Sequence, residues 1–332
     1  MRLFPTFGLA LIAVFFAGWP AGVFAQAPRD IRTALVLTTA DDAFLGRWDI
    51  TIPAPDGGRG RACWLEITRE GGELKARFLS GGGSPFPLKQ ISIDSGELKF
   101  QHPSGRPPEQ VTAAYAARLV KGRLEGTVTA GKQKPRPWTG LRPPVWPKDP
   151  PKRKPGKPVA LFNGKDLSGW LGQNPSRPLG WEVRDGILLN PNPPANNIYS
   201  ERKFMDFKVE VEFNLEAHSN SGVYLRGRHE IQIQDDYGQQ TLNEGTQGAI
   251  YGFITPSVNA CKPAGEWQTL EATIIANRVT VILNGTKIID NAVVPALTGG
   301  ALDANEGDPG PILLQGDHGV IRYRKVVVTP LI

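Results

Sequence analysis

Residues 207–214, FKVEVEFN, show the pattern that decides the fold of this chain. Their apolar side chains alternate with Lys, Glu and Asn, and a period of two is typical of a strand with one face in a core and the other in water. Further along, Asn284-Gly285 separates two apolar runs, which is the strongest short signal for a hairpin. No ten-residue amphipathic helix pattern occurs within residues 159–332. This half is therefore predicted to be a jelly-roll β-sandwich of two stacked antiparallel sheets.

Strand patterns also dominate residues 44–140. Residues 63–67 and 74–78 both alternate between apolar and polar side chains, and a Gly-Gly turn separates them. Such pairs predict a small antiparallel β-barrel or sandwich. The opening Gly-Arg-Trp at residues 46–48 resembles the G-x-W of lipocalin-type barrels, where the Trp closes the base. The alternative is a Trp packed in any β core.

A basic, proline-rich segment separates the two halves. Proline removes backbone donors and favours an extended chain, so residues 141–158 are predicted to be a linker between a domain at 44–140 and one at 159–332. Much of the formal charge of +6 lies in residues 148–157. The charge therefore indicates a solvated linker, and no nucleic-acid partner is expected.

Two cysteines, Cys63 and Cys261, lie in different halves of the chain. Two cysteines exclude a stapling framework of disulfides. They leave two alternatives, a single bridge between the domains or two unreactive thiols.

The first 25 residues have the features of a signal peptide. Arg2 is followed by an apolar run at residues 9–16 and by a small-residue cleavage signal at residues 23–25. The apolar run is too short to span a bilayer, so no membrane span is expected. The sequence predicts an exported protein that begins at Gln26 and is periplasmic or secreted.

Several segments in the second half match one family in order and spacing. They are VALFNGKDLSGW at 159–170, WEVRDGIL from Trp181, DF at 206–207, NSGVYLRGRHEIQIQD from Asn220, GAIY from Gly248, GEW at Gly265, LNG at Leu283 and GPILLQGDHGVIRYR from Gly310. Together they resemble the 3-keto-disaccharide hydrolase domain family, whose fold is similar to the concanavalin-A-like lectin and glucanase jelly roll. The resemblance implies a carbohydrate-active enzyme.

The strand at residues 229–235 is expected to carry the chemistry. Alternation places Glu230, Gln232 and Gln234 on one face. Retaining jelly-roll glucanases carry two carboxylates about 5–5.5 Å apart, whereas here the neighbours are amides. Glutamine does not exchange a proton at neutral pH, so displacement at an unactivated anomeric carbon lacks its second carboxylate on this strand. The alternative for Gln234 is a polar side chain that only faces solvent.

The resemblance implies a different reaction. Members of the family act on glycosides oxidised to a ketone at C3, which makes the C2 hydrogen acidic. A base removes that proton, the aglycone leaves C1 by elimination, and water can add to the unsaturated sugar. Such a site needs a base and a group that stabilises the enolate. The substrate is then a 3-keto-glycoside, and a sugar oxidoreductase acting upstream is the implied functional partner.

Two residues are the catalytic candidates. Glu230 occupies a position where the family pattern has an acid, and His318 lies in the LQ-x-x-H-G segment on which the family motif ends. The candidates for substrate binding are Arg226, Gln232, Gln234, Tyr251, Trp267 and Gln315. Arg226 has a second interpretation, a cross-strand ion pair, and Trp267 has another, a core tryptophan.

No cofactor is required by the sequence, but one metal set is conceivable. Asp235 with Glu230 and His318 would offer oxygen and nitrogen ligands to a divalent ion, which stabilises an enediolate well. Two other functions stay open. The fold also builds non-catalytic lectins, since fold alone does not decide function, and the first domain could make the chain an adaptor.

Overall fold

The computed structural model describes residues 40–54, 58–105 and 107–332, and the regular secondary structure in these ranges is almost entirely β-strand. A short 3₁₀ helix at Ala40–Phe44 precedes the first strand. The predicted signal peptide, residues 1–25, lies outside the described residues. None of the helices within the described ranges is both long enough and apolar enough to cross a membrane. The expectation of an all-β protein is confirmed.

The first half forms one antiparallel sheet of nine strands in the order β4-β3-β2-β1-β9-β8-β7-β6-β5. Because β3 also contacts β5, near the opposite edge, the sheet curls into a barrel-like shape. The strands are β1 (Gly46–Ile52), β2 (Arg61–Glu70), β3 (Glu73–Leu79), β4 (Phe86–Pro87), β5 (Ile91–Asp94), β6 (Glu97–Ser104), β7 (Val111–Val120), β8 (Arg123–Ala130) and β9 (Arg136–Leu141).

Aromatic side chains fill the inside of this curled sheet. Trp48 of the G-x-W segment is 1% exposed, and its indole donates a 2.8 Å hydrogen bond to the Phe44 carbonyl. The Arg142 guanidinium lies 3.6 Å from the centre of that indole and covers it. Cys63 is buried in the same core, and both it and Cys261 are free thiols. The alternative of a bridge between the domains is therefore wrong.

The second half forms two sheets. One has eight strands, with β12-β13-β22-β15-β18-β19-β20 in order and β10 beside β22, and the other has the order β11-β14-β21-β16-β17. The strands are β10 (Val159–Ala160), β11 (Trp170–Gly172), β12 (Glu182–Arg184), β13 (Ile187–Leu189), β14 (Ile198–Phe204), β15 (Phe207–Leu215), β16 (Asn220–Leu225), β17 (His229–Gln234), β18 (Gln268–Ile275), β19 (Arg278–Leu283), β20 (Thr286–Val293), β21 (Gly310–Leu314) and β22 (Ile321–Pro330).

The core of this sandwich lies between the two sheets. Strand β15 contributes Val209 and Val211 from the eight-stranded sheet, and β17 contributes Ile231 and Ile233 from the five-stranded sheet. The alternation of residues 207–214 is thus confirmed as a half-buried strand. Since Ile231 and Ile233 face this core, the polar residues between them face the other side of the five-stranded sheet.

The outer face of β2 packs against a loop of the sandwich, residues 294–309. Trp64 and Leu79 form a small apolar cluster with Leu297 and Ala301. The Trp64 indole donates a 2.9 Å hydrogen bond to the Leu297 carbonyl. This loop is therefore held from both sides, by the sandwich that contains it and by the nine-stranded sheet.

A buried group of charges joins the same two parts. Arg47 of β1 forms ion pairs with Asp49 and with Glu306 of the loop. Both carboxyl groups are buried, and burial raises the pKa of each, that of Asp49 to about 7. One guanidinium thus pairs with two carboxyl groups, so this contact depends on whether those carboxyl groups are ionised.

The predicted linker has contacts of its own. Arg153 forms a 2.8 Å ion pair with Asp206, and the backbones of Lys154 and Ile332 exchange two hydrogen bonds. The nine-stranded sheet ends at Leu141, and the strands of the sandwich begin at Val159. The division at residues 141–158 remains a prediction about domains that fold independently.

Candidate active site

The polar face of the five-stranded sheet is built on the hairpin of β16 and β17. Strand β16 ends at Leu225, and Arg226 and Gly227 turn the chain with positive φ angles. This turn sets the register that places Tyr224 opposite Glu230 and Gly222 opposite Gln232. Paired residues share a face in an antiparallel sheet, so these four lie together, away from the apolar core.

Glu230 is the most perturbed carboxyl group on this face. It is 4% exposed, and burial raises its pKa from the ordinary 4.5 to about 8. Its backbone amide donates a 2.9 Å hydrogen bond to the Thr298 hydroxyl. A side chain at position 222 would overlap the Glu230 carboxyl, so the glycine of β16 leaves the room that this carboxyl occupies.

Tyr224 contacts the same carboxyl. A hydrogen bond with Tyr224 lowers the pKa of Glu230 and so opposes part of the effect of burial. The Tyr224 hydroxyl also lies 3.0 Å from the Gly299 carbonyl oxygen. Burial, and then the charge of Glu230, raise the pKa of this phenol well above its usual value. Tyr224 is therefore a neutral hydrogen-bonding group at any physiological pH.

A carboxylate and an imidazole approach Glu230 from the loop between β21 and β22. The Nδ1 atom of His318 lies 2.7 Å from a carboxylate oxygen of Asp317. A positive charge on His318 lowers the pKa of Glu230, and Asp317 raises it, so both side chains are within electrostatic reach. The structure thus brings together the two catalytic candidates of the sequence. Asp317 orients the imidazole and would stabilise its protonated form.

Polar amides extend this face on both sides. The Gln232 amide donates a 3.1 Å hydrogen bond to Gln234, which in turn donates to Asp236 at 3.1 Å. Gln315 is 7% exposed, and its amide nitrogen lies 3.5 Å from the Tyr224 hydroxyl. Its carbonyl oxygen is buried and has no hydrogen-bond partner among the described residues. An acceptor in that state is available to a sugar hydroxyl.

Tyr251 is half-buried beside the same face. Its backbone amide donates a 3.1 Å hydrogen bond to the Glu230 carbonyl. The Tyr251 side chain acts electrostatically on Tyr224, which places the two phenols near each other. Tyr251 thus remains a candidate for contact with a sugar.

Arg226 and Trp267 do not join these residues. Arg226 is fully buried, and it donates a 2.6 Å hydrogen bond to the Met205 carbonyl and pairs with Asp206 at 3.2 Å. Arg226 is thus in an ion pair, although neither it nor Asp206 lies within a strand. Trp267 directly precedes β18 in the other sheet, where the Arg324 guanidinium lies 4.4 Å from its ring centre. Neither residue faces Glu230.

The conceivable metal set is not assembled. Asp235 directly follows β17, and one of its carboxylate oxygens accepts a 2.9 Å hydrogen bond from the His218 backbone amide. Within the described ranges, no group of three or more His, Cys, Asp or Glu side chains is arranged to hold a metal ion. Glu230, Asp235 and His318 are therefore not brought together as a metal site.

A cavity of about 560 Å³ adjoins this face. Its wall includes Asp317 and Gly300, and a side chain at position 300 would contact the Tyr224 hydroxyl. The opposite wall comes from the first half of the chain, from Arg59 to Ala62 at the start of β2. The cavity thus reaches from the Asp317-His318 pair to the first half of the chain.

Sequence reasoning missed three residues here, Tyr224, Asp317 and Arg59. A signal existed for Tyr224, because a turn at residues 226–228 in a hairpin places it opposite Glu230. Asp317 directly precedes His318, the catalytic candidate. No local pattern identifies Arg59, which donates a hydrogen bond to the Leu302 carbonyl 243 positions away in the sequence.

The second half of the chain matches a known family. The model of the family described as 3-keto-alpha-glucoside-1,2-lyase-like domain matches residues 157–329, slightly more than half of the chain. A 3-keto-disaccharide hydrolase of Bacteroides thetaiotaomicron is 23% identical over 159 residues, which are 37% of this chain and 54% of that protein. The chain therefore spans about half the length of this relative.

Two crystal structures are also similar. Both are of candidate glycosyl hydrolases from Parabacteroides distasonis. The first is 27% identical with a TM-score of 0.46 and covers 56% of this chain and 94% of that one. The second is 21% identical with a TM-score of 0.45 and covers 53% of this chain and 94% of the other.

Proposed function

This chain belongs to the family of 3-keto-alpha-glucoside-1,2-lyase-like domains, and we propose that it is an exported enzyme that cleaves 3-keto-glycosides by removing the C2 proton. The observation that carries the proposal is the buried Glu230 carboxyl, whose pKa of about 8 lies near neutrality, beside His318. A general base works best when its pKa is close to the working pH.

The first step transfers a proton from C2 of the sugar to the Glu230 carboxylate. The electrons of the C2–H bond move into the C2–C3 bond, and those of the C3 carbonyl move onto its oxygen to give an enolate. The buried amide groups of Gln232 and Gln315 are the donors for that oxygen and for the sugar hydroxyls.

The second step expels the aglycone. The enolate re-forms the C3 carbonyl, a C1–C2 double bond forms, and the bond from C1 to the aglycone oxygen breaks. The protonated His318 supplies the proton that the leaving oxygen needs, and Asp317 holds its ring at 2.7 Å. The products are an alcohol and an unsaturated 3-keto sugar.

Addition of water to this sugar restores the protonation states of His318 and Glu230. Neutral His318 takes a proton from water as its oxygen bonds to C1, and Glu230 returns its proton to C2. The enzyme then ends with a carboxylate and an imidazolium, as it began. The ketone itself has to be installed beforehand by an oxidoreductase that acts on the C3 hydroxyl.

Two other functions remain as outcomes of the test. A non-catalytic lectin is disfavoured because a binding site has no need of a buried carboxyl with a strongly raised pKa. An ordinary glycosidase is favoured by one observation, since Asp317 supplies the second carboxylate that the strand itself lacks. Asp317 is committed to His318, however, which supports the elimination chemistry.

Cleavage of a 3-keto-glucoside in D₂O distinguishes these functions. We expect solvent deuterium at C2 of the hydrated product and a kinetic isotope effect with C2-deuterated substrate if proton removal limits the rate. The unoxidised glucoside should be inert. Its cleavage at a comparable rate, or a product that keeps the original C2 hydrogen, would show a conventional glycosidase. Binding of sugar without turnover of any substrate would show a lectin.

A further inference from the structure

The cavity beside Glu230 has walls from both halves of the chain. The sandwich contributes residues 173–177 and 195–197, and the nine-stranded sheet contributes Arg61, Ala62 and Arg136. The family match begins only at residue 157. One wall of the cavity therefore lies outside the part of the chain that the family describes.

Positive charge dominates this cavity. Four of its lining residues are arginines, and one, Asp317, is acidic. Asp317 is already paired with His318. A cavity with this balance attracts an anionic ligand, because field lines concentrate in a cleft lined by charges of one sign. The arginines are Arg59, Arg61, Arg136 and Arg177.

Arg59 is fixed at the end nearest the catalytic residues. Its Nε donates a 2.9 Å hydrogen bond to the Leu302 carbonyl, and Nη2 donates to the Ala301 carbonyl. Its charge also acts on the Tyr199 and Tyr224 hydroxyls. Arg59 thus links the wall of the cavity to the polar face that holds Glu230.

Arg61 and Arg136 differ from Arg59 in the contacts of their guanidinium groups. Within the described parts of the chain, neither guanidinium has a salt bridge or hydrogen bond to another residue. The aliphatic part of Arg61 lies over Gly81, where any larger residue would displace it. The carbonyl of Gly81 accepts a 2.9 Å hydrogen bond from Gly300. Arg61 is therefore positioned by a segment that is itself tied to the loop beside Tyr224.

We propose that this cavity binds the aglycone and that the aglycone carries an oxyanion, a carboxylate or a phosphate, which Arg61 and Arg136 recognise. The inference rests on the proposed function, since it assigns the substrate class of the same site. The sugar lies over Glu230, and the group that leaves C1 extends past Asp317 into the cavity. Guanidinium groups bind carboxylates and phosphates with paired, charge-assisted hydrogen bonds.

The test compares aglycones of nearly equal shape and different charge. The substrates are 3-keto-glucosides, in both anomeric forms, of 4-carboxyphenol, 4-phosphonooxyphenol and the neutral 4-carbamoylphenol. We expect kcat/KM to be at least about tenfold higher for one anionic substrate than for the neutral one, mainly through KM, because a charge-assisted hydrogen bond contributes roughly this much. The substrate that is preferred more strongly over the neutral one shows whether the cavity binds a carboxylate or a phosphate. Raising the salt concentration should reduce the preference.

Two variants assign the effect to the arginines. Arg61→Gln and Arg136→Gln should each reduce the preference severalfold, and the double variant should abolish it. Arg118→Gln changes an exposed arginine outside the cavity, and it should keep the full preference. Equal cleavage of charged and neutral substrates, or a preference that survives the double variant, would overturn the inference.

A binding measurement separates this inference from the proposed function. If no 3-keto-glucoside is cleaved, the proposed function fails, and calorimetry with 4-hydroxybenzoate, 4-phosphonooxyphenol and 4-hydroxybenzamide still tests the cavity. One of the two anions should bind wild-type protein at least about tenfold more tightly than the amide and should lose that advantage in the double variant. Equal affinities for all three ligands would refute the inference on their own.

Discussion

The Trp64 indole donates a 2.9 Å hydrogen bond to the Leu297 carbonyl, one residue before the threonine whose hydroxyl binds the Glu230 backbone. Trp64 belongs to the nine-stranded sheet, and Leu297 and Thr298 belong to the sandwich. A single tryptophan of the first half therefore contacts the segment that covers the catalytic strand.

Trp64→Ala should destabilise the protein and lower its activity together. Removing a buried tryptophan costs about 3–5 kcal/mol of unfolding free energy, and here it also frees the loop at Leu297. Urea unfolding and turnover of a 3-keto-glucoside measure the two effects. Trp267→Ala is the matched control, since that half-buried ring lies on the other sheet, and it should cost less. Unchanged stability of Trp64→Ala would contradict the role of this contact.

Activity should increase with pH as Glu230 loses its proton. The carboxylate is the base, so with a nitrophenyl aglycone, whose departure does not require protonated His318, kcat/KM should rise through a limb with a midpoint near pH 8. Glu230→Gln should lower turnover by at least about a hundredfold. A pH–rate profile of the free enzyme measures the limb. A midpoint near the ordinary carboxyl value of 4.5 would contradict the assignment.

The same shift predicts how stability depends on pH. The pKa of Glu230 is raised on folding, so the carboxyl is protonated in the folded protein when it is already ionised in the unfolded chain. Its stabilising effect is complete below pH 4.5 and is lost as the pH rises through 8. Glu230→Gln has no carboxyl group at this position to ionise, so it does not lose this stability. It should match wild type near pH 5 and exceed it at pH 9 by on the order of 3–5 kcal/mol, since one pKa unit corresponds to about 1.4 kcal/mol. Urea unfolding at both pH values provides the measurement, and a parallel pH dependence of the two proteins is the contrary result.

His318→Ala should lower turnover by at least about a hundredfold, because the aglycone loses its proton donor. Asp317→Asn keeps the imidazole but loses the carboxylate 2.7 Å from it, so its loss should be smaller. A nitrophenyl aglycone leaves without a proton donor. With this aglycone, the turnover of His318→Ala should recover more than the turnover of Glu230→Gln. His218→Ala is the control, since that histidine is exposed. Full activity of His318→Ala would remove this residue from the mechanism.

Limited proteolysis tests the predicted division of the chain. Trypsin should cut after the exposed Lys148 or Lys152, because the proline-rich segment has no regular structure of its own there. The two fragments should remain associated under native conditions through Trp64 and the ion pair of Arg47 with Glu306. A chain that resists digestion would contradict the linker, and fragments that separate would contradict the contact.

Local patterns predicted the strands well, for a physical reason. In residues 207–214 the side-chain period equals the period of the pleat, so alternation alone identifies the buried face. The same rule placed Glu230, Gln232 and Gln234 on one side. Arg226 does not follow this rule, because its strand ends at Leu225 and its own backbone has a positive φ of 53°.

The remaining parts of the site depend on tertiary structure. Trp267 lies beside the correct segment in sequence but on the other sheet, and strand order cannot be deduced from alternation. Arg59 and Leu302 are 243 positions apart and meet only because two folded halves pack together. The raised pKa of Glu230 likewise arises from burial in the folded protein, which no pattern around residue 230 reveals.

The loop at residues 294–309 is encoded with the sandwich, yet its carbonyls are bound by Arg59 and Trp64 of the other half. The reactive groups and the wall opposite them are thus specified by separate stretches of the gene. If the proposed function is correct, changes in the first stretch would alter which glycosides are accepted while the residues proposed to break the bond stay untouched. Recognition and reaction would then be free to evolve at different rates in this molecule.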